Sequence, residues 1–247
     1  MLRIIDARTG EPVTAAPARR GLTRVEAHTA GYDSTSLRVL LVADVLVRAL
    51  ELGGTPVWAL LNGERDRPEL RAGAAALGIR PFEDGVAGSG LGVGLGEAQA
   101  LHVLGEGAAT SDGFAAGARI AVAPVDPAAA GIPAGADPSA VRLALLSTRR
   151  DAPLRLDADA LAGAQDTLRR WRRAVADWAR QPSRAIPDEV RAELRTAWED
   201  DLDVPGVLRI LRSVETSDLP AGARFETYAY ADRLLGVELT RDVGAPA

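Results

Sequence analysis

Ser34, Thr35 and Ser36 stand together just ahead of a long apolar stretch, and three hydroxyls at the start of a helix suit two jobs. Backbone N–H groups at a helix N-terminus attract anions, so with the hydroxyls they can hold a phosphate or a carboxylate. The same side chains also serve as ordinary N-caps, and the sequence leaves both readings open. His28 and His102 are the only two imidazoles in the chain. They cannot form a three-histidine metal site, although carboxylates can supplement them. His28 reads as a polar residue at a strand end, and His102, between Leu101 and Val103, as a residue at the edge of the core rather than a base. Arg169, Arg170, Arg172, Arg173 and Arg180, with Trp171 and Trp178, make a basic and aromatic stretch. RNA would use such arginines for phosphates and the rings for stacking. Against that, Trp171, Val175 and Trp178 recur at helical spacing, which marks the tryptophans as core. The arginines would then pair with Glu199, Asp200, Asp201 and Asp203.

The residues that are missing narrow the chemistry further. The chain has no cysteine, which excludes disulfides, a thiol nucleophile and a thiolate zinc site. All 29 basic side chains are arginine, so there is no Walker A lysine, no Schiff base and no lysine to hold a leaving pyrophosphate. Alanine, glycine and arginine are abundant, as in a GC-rich genome, but a guanidinium does not replace a compact ammonium everywhere. The formal net charge of −5 argues against bulk attraction to nucleic acid, though not against a local basic face. With 47% hydrophobic residues over 247, the chain can bury a sizeable core. No apolar run has the length of a membrane span, and Asp6 interrupts any leader-like start. A cytoplasmic location and no membrane partner are the expectation.

The elements that must position these residues alternate in the first half. Leu2 to Ala7 and Leu22 to Ala30 read as strands, and Leu37 to Leu52 as a helix capped by Ser34 or Ser36 and ended by Gly53-Gly54. Pro56 to Asn62 reads as a buried strand, Asp66 and Pro68 open a helix closed by Gly78, and Ile79 to Phe82 is a further strand. That alternation predicts a parallel sheet. Glycine recurs at 85, 88, 90, 92, 94 and 96, the composition of a flexible connection or of a phosphate-cradling loop. The spacing matches neither the dinucleotide fingerprint nor Walker A. Glu97 to Leu104 reads as a short helix and Ala118 to Val125 as a strand. From Asp137 the pattern is helical: Pro138 to Thr148, Asp157 to Arg180, a helix opened by Pro187-Asp188-Glu189, Val204 to Val214 and Ala223 to Leu235. A domain boundary is expected near 136, dividing 1–136 from 137–247.

Several stretches of this pattern resemble cysteinyl-tRNA synthetases and, more closely, their shorter relatives, the cysteine ligases of mycothiol biosynthesis. Gly135-Ala136-Asp137-Pro138-Ser139-Ala140-Val141-Arg142-Leu143-Ala144-Leu145-Leu146-Ser147 looks like the segment where the helical region of those enzymes begins. Leu168-Arg169-Arg170-Trp171-Arg172-Arg173-Ala174 resembles their arginine and tryptophan cluster, and Asp200-Asp201-Leu202-Asp203-Val204-Pro205 their Asp-Asp-Leu-Asp-Thr-Pro turn. Leu234-Leu235-Gly236-Val237 is similar to the closing helix. Gly31-Tyr32-Asp33-Ser34-Thr35-Ser36-Leu37 resembles the Pro-Tyr-Asp-Ala-Thr-His-Leu that leads into the family's histidine motif. The resemblance implies an α/β fold: a class I synthetase, Rossmann-like parallel-sheet nucleotide-binding domain followed by an α-helical bundle. It also implies that the chain ends where a tRNA synthetase continues into its anticodon-binding region.

The resemblance further implies where catalysis would reside. The first histidine of the family motif aligns with Ser36, and the second falls in a deletion of about three residues. The family's Lys-Met-Ser-Lys-Ser loop has Ala118-Arg119-Ile120-Ala121-Val122 in its place, where Arg119 supplies one charge. The first zinc-binding cysteine aligns with Ala27 and another with Ala98. Tyr32, Asp33, Ser34, Thr35, Ser36 and Arg119 are therefore the expected positions for ATP, an adenylate or another nucleotide or aminoacyl ligand, with no catalytic residue assigned and zinc argued against. Three functions follow: a non-catalytic or repurposed binding relative, an adenylate-forming ligase of altered specificity, or a module contacting tRNA or protein.

Overall fold

The computed structural model describes residues 1–16, 22–63, 65–85, 99–106, 117–126 and 131–245. Its strands are β1 (Arg3–Ile5), β2 (Pro12–Thr14), β3 (Thr23–His28), β4 (Val57–Asn62), β5 (Glu83–Asp84), β6 (Ala100–Gly105), β7 (Ala118–Val122), β8 (Val125–Asp126) and β9 (Leu154–Arg155). Its helices are α1 (Ser34–Leu52), α2 (Arg67–Ala76), α3 (Pro138–Leu146), α4 (Ala158–Trp178), α5 (Asp188–Glu199), α6 (Val204–Glu215) and α7 (Ala221–Leu235). β3 to β7 form one sheet in the order β5-β4-β3-β6-β7, every pairing parallel. The chain builds outward from β3 in one direction through β4 and β5, then resumes on the other side of β3 with β6 and β7. This is the strand order of a Rossmann-like α/β sheet, followed here by five helices. No helix among the described residues is long and apolar enough to cross a membrane.

Side-chain alternation gives the sheet two unlike faces. Val25 and Ala27 of β3, Leu61 of β4, Leu101 and Val103 of β6, and Ile120 and Val122 of β7 belong to the main core and pack beneath α1. Residues of opposite parity point the other way, and among them are Arg24, Glu26, His28, Asn62, His102 and Arg119. Helix α1 is buried along almost its whole length, because it lies between the sheet and α7.

Several expected boundaries move. Glu97 to Leu104 contributes a strand, not a helix: β6 is an internal strand buried on both faces, and such a run lacks the alternation that marks a half-exposed one. Ile79 to Phe82 is not a strand; pairing with β4 begins at Glu83, while Ile79 and Phe82 fill the core. The Gly-rich segment beyond Gly85 lies outside the described residues. The first four C-terminal helices start where the sequence places them, Asp137, Asp157 and Asp203 each accepting a backbone N–H as N-cap, while α7 starts at Ala221 and not at Ala223.

The sheet and the helices are joined around one carboxylate. Asp44 of α1 has no exposed surface. Its oxygens meet Arg142 Nη2 of α3 at 2.7 Å, Arg48 Nε at 2.8 Å and Arg80 Nε at 3.1 Å. Arg142, also fully buried, donates through Nε to the Leu235 carbonyl and through Nη1 to that of Leu77. Burial alone would raise the Asp44 carboxyl, but Arg142 and Arg48 outweigh it and hold the group below its ordinary value of 3.8. Asp44→Ala would leave the buried Arg142 without its counter-ion, a loss of about 3–5 kcal/mol, to be measured by denaturant unfolding. Because the folded carboxyl titrates below the unfolded one, its contribution is complete above pH ~4 and is lost as pH falls from there through the lower folded value. The Asp44→Asn variant is therefore expected to show a flatter loss of stability below pH ~4 than the parent chain.

Candidate functional site

In a sheet of this order the crevice for a ligand lies at the carboxyl ends of the strands where the winding reverses, here between β3 and β6. β3 ends at His28 and the chain enters α1 at Ser34, so Tyr32 to Ser36 stand at that crevice. Asp33 has extended backbone, and its Oδ1 accepts the Ser36 N–H at 2.6 Å. The cap of α1 is therefore Asp33, and not Ser34 or Ser36 as the sequence suggested. Ser34 and Ser36 are buried. The Thr35 hydroxyl accepts the Val125 N–H at 3.1 Å, which ties the helix start to β8. Tyr32 packs over Gly73 and Gly131, where an added Cβ would come within 2.8 Å and 2.0 Å of the tyrosine ring or hydroxyl. These five residues share one place, and the Asp33 carboxylate and Thr35 hydroxyl there accept the protein's own backbone N–H groups.

Arg119 is elsewhere. It lies opposite His102 in the β6–β7 register, three residues before the end of β7, on the face turned away from α1. It is buried, and its backbone is joined to the N-terminal segment: Ala7 N–H donates to its carbonyl, and its own N–H to Asp6 Oδ1. The structure thus does not bring Arg119 to the start of α1.

The two histidines, 74 residues apart in sequence, meet on that same face. His28 Nε2 is 3.1 Å from His102 Nδ1, and the rings are tilted by 45°. Glu26 Oε2 stands 3.6 Å from His102 Nδ1 and 3.8 Å from His28 Nε2, too far for a hydrogen bond to either. Asn62 Nδ2 donates to the same oxygen at 3.1 Å, and Arg24 Nη2 lies 3.5 Å from the other. His102 is buried, whereas the Glu26 and His28 side chains are 14% and 17% exposed, which makes them the rim of the cluster. Burial, with the His102 ring as a second cause, pushes His28 down to about 4, so it is a neutral imidazole at neutral pH. The strand-end and core-edge positions expected for the two rings are those observed, but their meeting, and the part of Glu26 in it, escaped the sequence reading. The available signal was Arg24, Glu26 and His28 at alternate positions between Val25 and Ala27, which puts three polar side chains on one strand face.

The zinc that the resemblance implies does not fit this chain. Its first ligand would stand at Ala27, an apolar side chain with no exposed surface in the core beneath α1. The position assigned to the second, Ala98, lies outside the described residues. In the arginine and tryptophan stretch the two rings are core, as their spacing predicts: Trp171 and Trp178 are buried edge-on to Tyr228, at 5.6 Å and 5.1 Å between ring centres. Its arginines do not pair with the Glu199 to Asp203 cluster. Arg169 meets Asp166 and Arg170 meets Glu215, while Arg172 donates to the carbonyls of Val237 and Glu238. Asp201 is held instead by Arg149 and Arg150, beside β1.

No family model matches the chain. It is 39% identical over 109 residues to the L-cysteine:1D-myo-inositol 2-amino-2-deoxy-alpha-D-glucopyranoside ligase of Streptosporangium roseum, an alignment covering 42% of this chain and 26% of the ligase. Proteins of the same name from Parafrankia sp. and Acidothermus cellulolyticus are 37% and 40% identical over 115 and 107 residues, covering 42% and 43% of this chain. The chain spans about a quarter of the length of these curated relatives.

Because Asp33 is the cap, Asp33→Ala is expected to cost about 1 kcal/mol. Ser36→Ala should cost clearly less; equal losses in thermal unfolding would return the capping role to Ser36. Over the stretch it shares with them, the chain is a homologue of the cysteine ligases that its motifs resemble.

Proposed function

We propose that this chain is a non-catalytic, repurposed relative of the cysteine ligases that acts by binding and not by activating an amino acid. One observation carries the reading: at the switch-point crevice, the position that the resemblance gives to the family's first motif histidine is held by Ser36, a buried residue behind the Asp33 cap. Adenylation must neutralise charge that grows on a pentacoordinate phosphorus and on the departing pyrophosphate. The family's lysines are absent from the whole sequence, and Arg119, the one cation assigned to their place, lies away from α1 on the opposite face of the sheet. Transition-state stabilisation of the family's kind then finds no lysine donor, and the binding reading places a small nucleotide or aminoacyl group beside Tyr32 to Ser36.

Two measurements test this together. Pyrophosphate exchange with a panel of amino acids, cysteine included, is expected to stay at background. Exchange above background that disappears in Ser36→Ala and Arg119→Ala variants would show an adenylate-forming ligase of altered specificity instead. Titration calorimetry with ATP, AMP, cysteine and a cysteinyl-adenylate analogue is expected to give heat with at least one, and silence with all four would sink the binding half of the proposal.

A further inference from the structure

We propose that Glu26, His28 and His102 form a binding site for a divalent transition-metal ion of the Zn²⁺ type, with its fourth coordination position open to water. Among the described residues these three are the group whose donor atoms converge, all within 4.8 Å of one another. The geometry is that of a coordination shell. A tetrahedral ion with Zn–N and Zn–O distances of about 2.0–2.1 Å separates its ligand atoms by about 3.3 Å. The three separations here are 3.1, 3.6 and 3.8 Å, so shifts of a few tenths of an ångström complete the set. Two imidazoles and one carboxylate are the donors that zinc takes where a coordination position stays open.

The surroundings support the same assignment. Asn62 fixes the Glu26 carboxylate by hydrogen bonding to it, as outer-shell partners orient ligating groups. Arg24 sits nearest the other carboxylate oxygen and leaves Oε2 turned toward the rings. His102 closes the inner side, while the partly exposed Glu26 and His28 leave the outer side for entry of the ion and a water. The site is distinct from the metal centre that the resemblance implies: that one begins at Ala27, which points from the same strand into the core beneath α1. It departs from the expectation drawn from the sequence, where the two histidines were read singly. It is also independent of the proposed function, since neither adenylate binding nor its absence bears on it.

The chain's composition makes the test selective. With two histidines and no cysteine, nitrogen ligation can be read only on these two rings. Tag-free protein, stripped with chelator, is titrated with Zn²⁺ by calorimetry while its imidazole nitrogens are followed by NMR. Saturable binding of one ion is expected, with both ring systems shifting in step. Co²⁺ in place of Zn²⁺ should give the intense visible absorption of a four-coordinate centre. His28→Ala and Glu26→Gln, both at the rim, are expected to weaken binding by at least about 100-fold, beyond the roughly 10- to 100-fold expected from the outer-shell change Asn62→Ala. His102→Ala removes a buried ring, so circular dichroism must first show that the variant folds; the rim variants carry the test if it does not. Absence of saturable binding, binding that leaves the ring nitrogens unmoved, or undiminished affinity in the rim variants overturns the assignment.

Discussion

The structure depends on a buried carboxylate that cannot be left alone. Asp44 sits in the middle of α1, and three arginines from different parts of the chain converge on it. A lone carboxylate at that depth would be driven neutral or would unfold the core. With its arginines in place it fixes the end of α2, the middle of α3 and the last turn of α7 relative to α1. Arginine suits this work better than lysine, because one planar guanidinium offers donors in several fixed directions. Arg142 reaches a carboxylate and two carbonyls at once. Arg38, one turn into the same helix, does the equivalent with the carbonyls of Ala123, Thr148, Arg149 and Ala152. Burial pulls its guanidinium down to about 10, still far above neutrality, so the charge persists inside the fold.

The motifs that carry the family resemblance prove to be parts of this same framework. Arg142 belongs to the Gly135 to Ser147 stretch and binds the carbonyl of Leu235, which belongs to the Leu234 to Val237 stretch. Arg172, from the arginine and tryptophan cluster, binds the carbonyl of Val237. In the Asp200 to Pro205 turn, Asp201 and Leu202 adopt positive φ, Asp201 accepts the Ile5 N–H of β1, and Asp203 caps α6. Each is a device for holding helices to one another or to the sheet. Such residues can persist when the chemistry of a family does not, because removing a buried charge partner costs stability whatever the protein does. A likeness concentrated in them speaks for shared architecture more directly than for shared catalysis.

Physical range decides what could be read from the sequence. Helix starts were legible at Asp137, Asp157 and Asp203, because a cap and the amide it accepts lie within three residues. The N-terminus of α1 was placed correctly but its cap was not, since Asp33, Ser34 and Ser36 are all good caps and only backbone geometry separates them. β6 was misread because an internal strand buried on both faces has no alternation to show. The carbonyls gripped by Arg38, Arg142 and Arg172 belong to residues of any type and leave no mark in the sequence. The approach of His28 to His102 needed the β3–β6 register, a long-range pairing that no local pattern specifies.

That register also explains why the two faces of β3 carry different meanings. On the α1 face, Val25 and Ala27 are core, and α1 itself begins with an amide already matched to Asp33. On the other face Glu26 and His102 are directly opposite one another, with His28 one pleat further along. Packing imposes no need for this choice, because Leu60 and Leu104 show that apolar side chains are accommodated on the same face at neighbouring positions. Burying two imidazoles and a carboxylate together carries a desolvation cost that an apolar trio would avoid. A group that binds all three donors at once offsets that cost through a single centre, and it does so on the side of the sheet that the family-like chemistry leaves untouched.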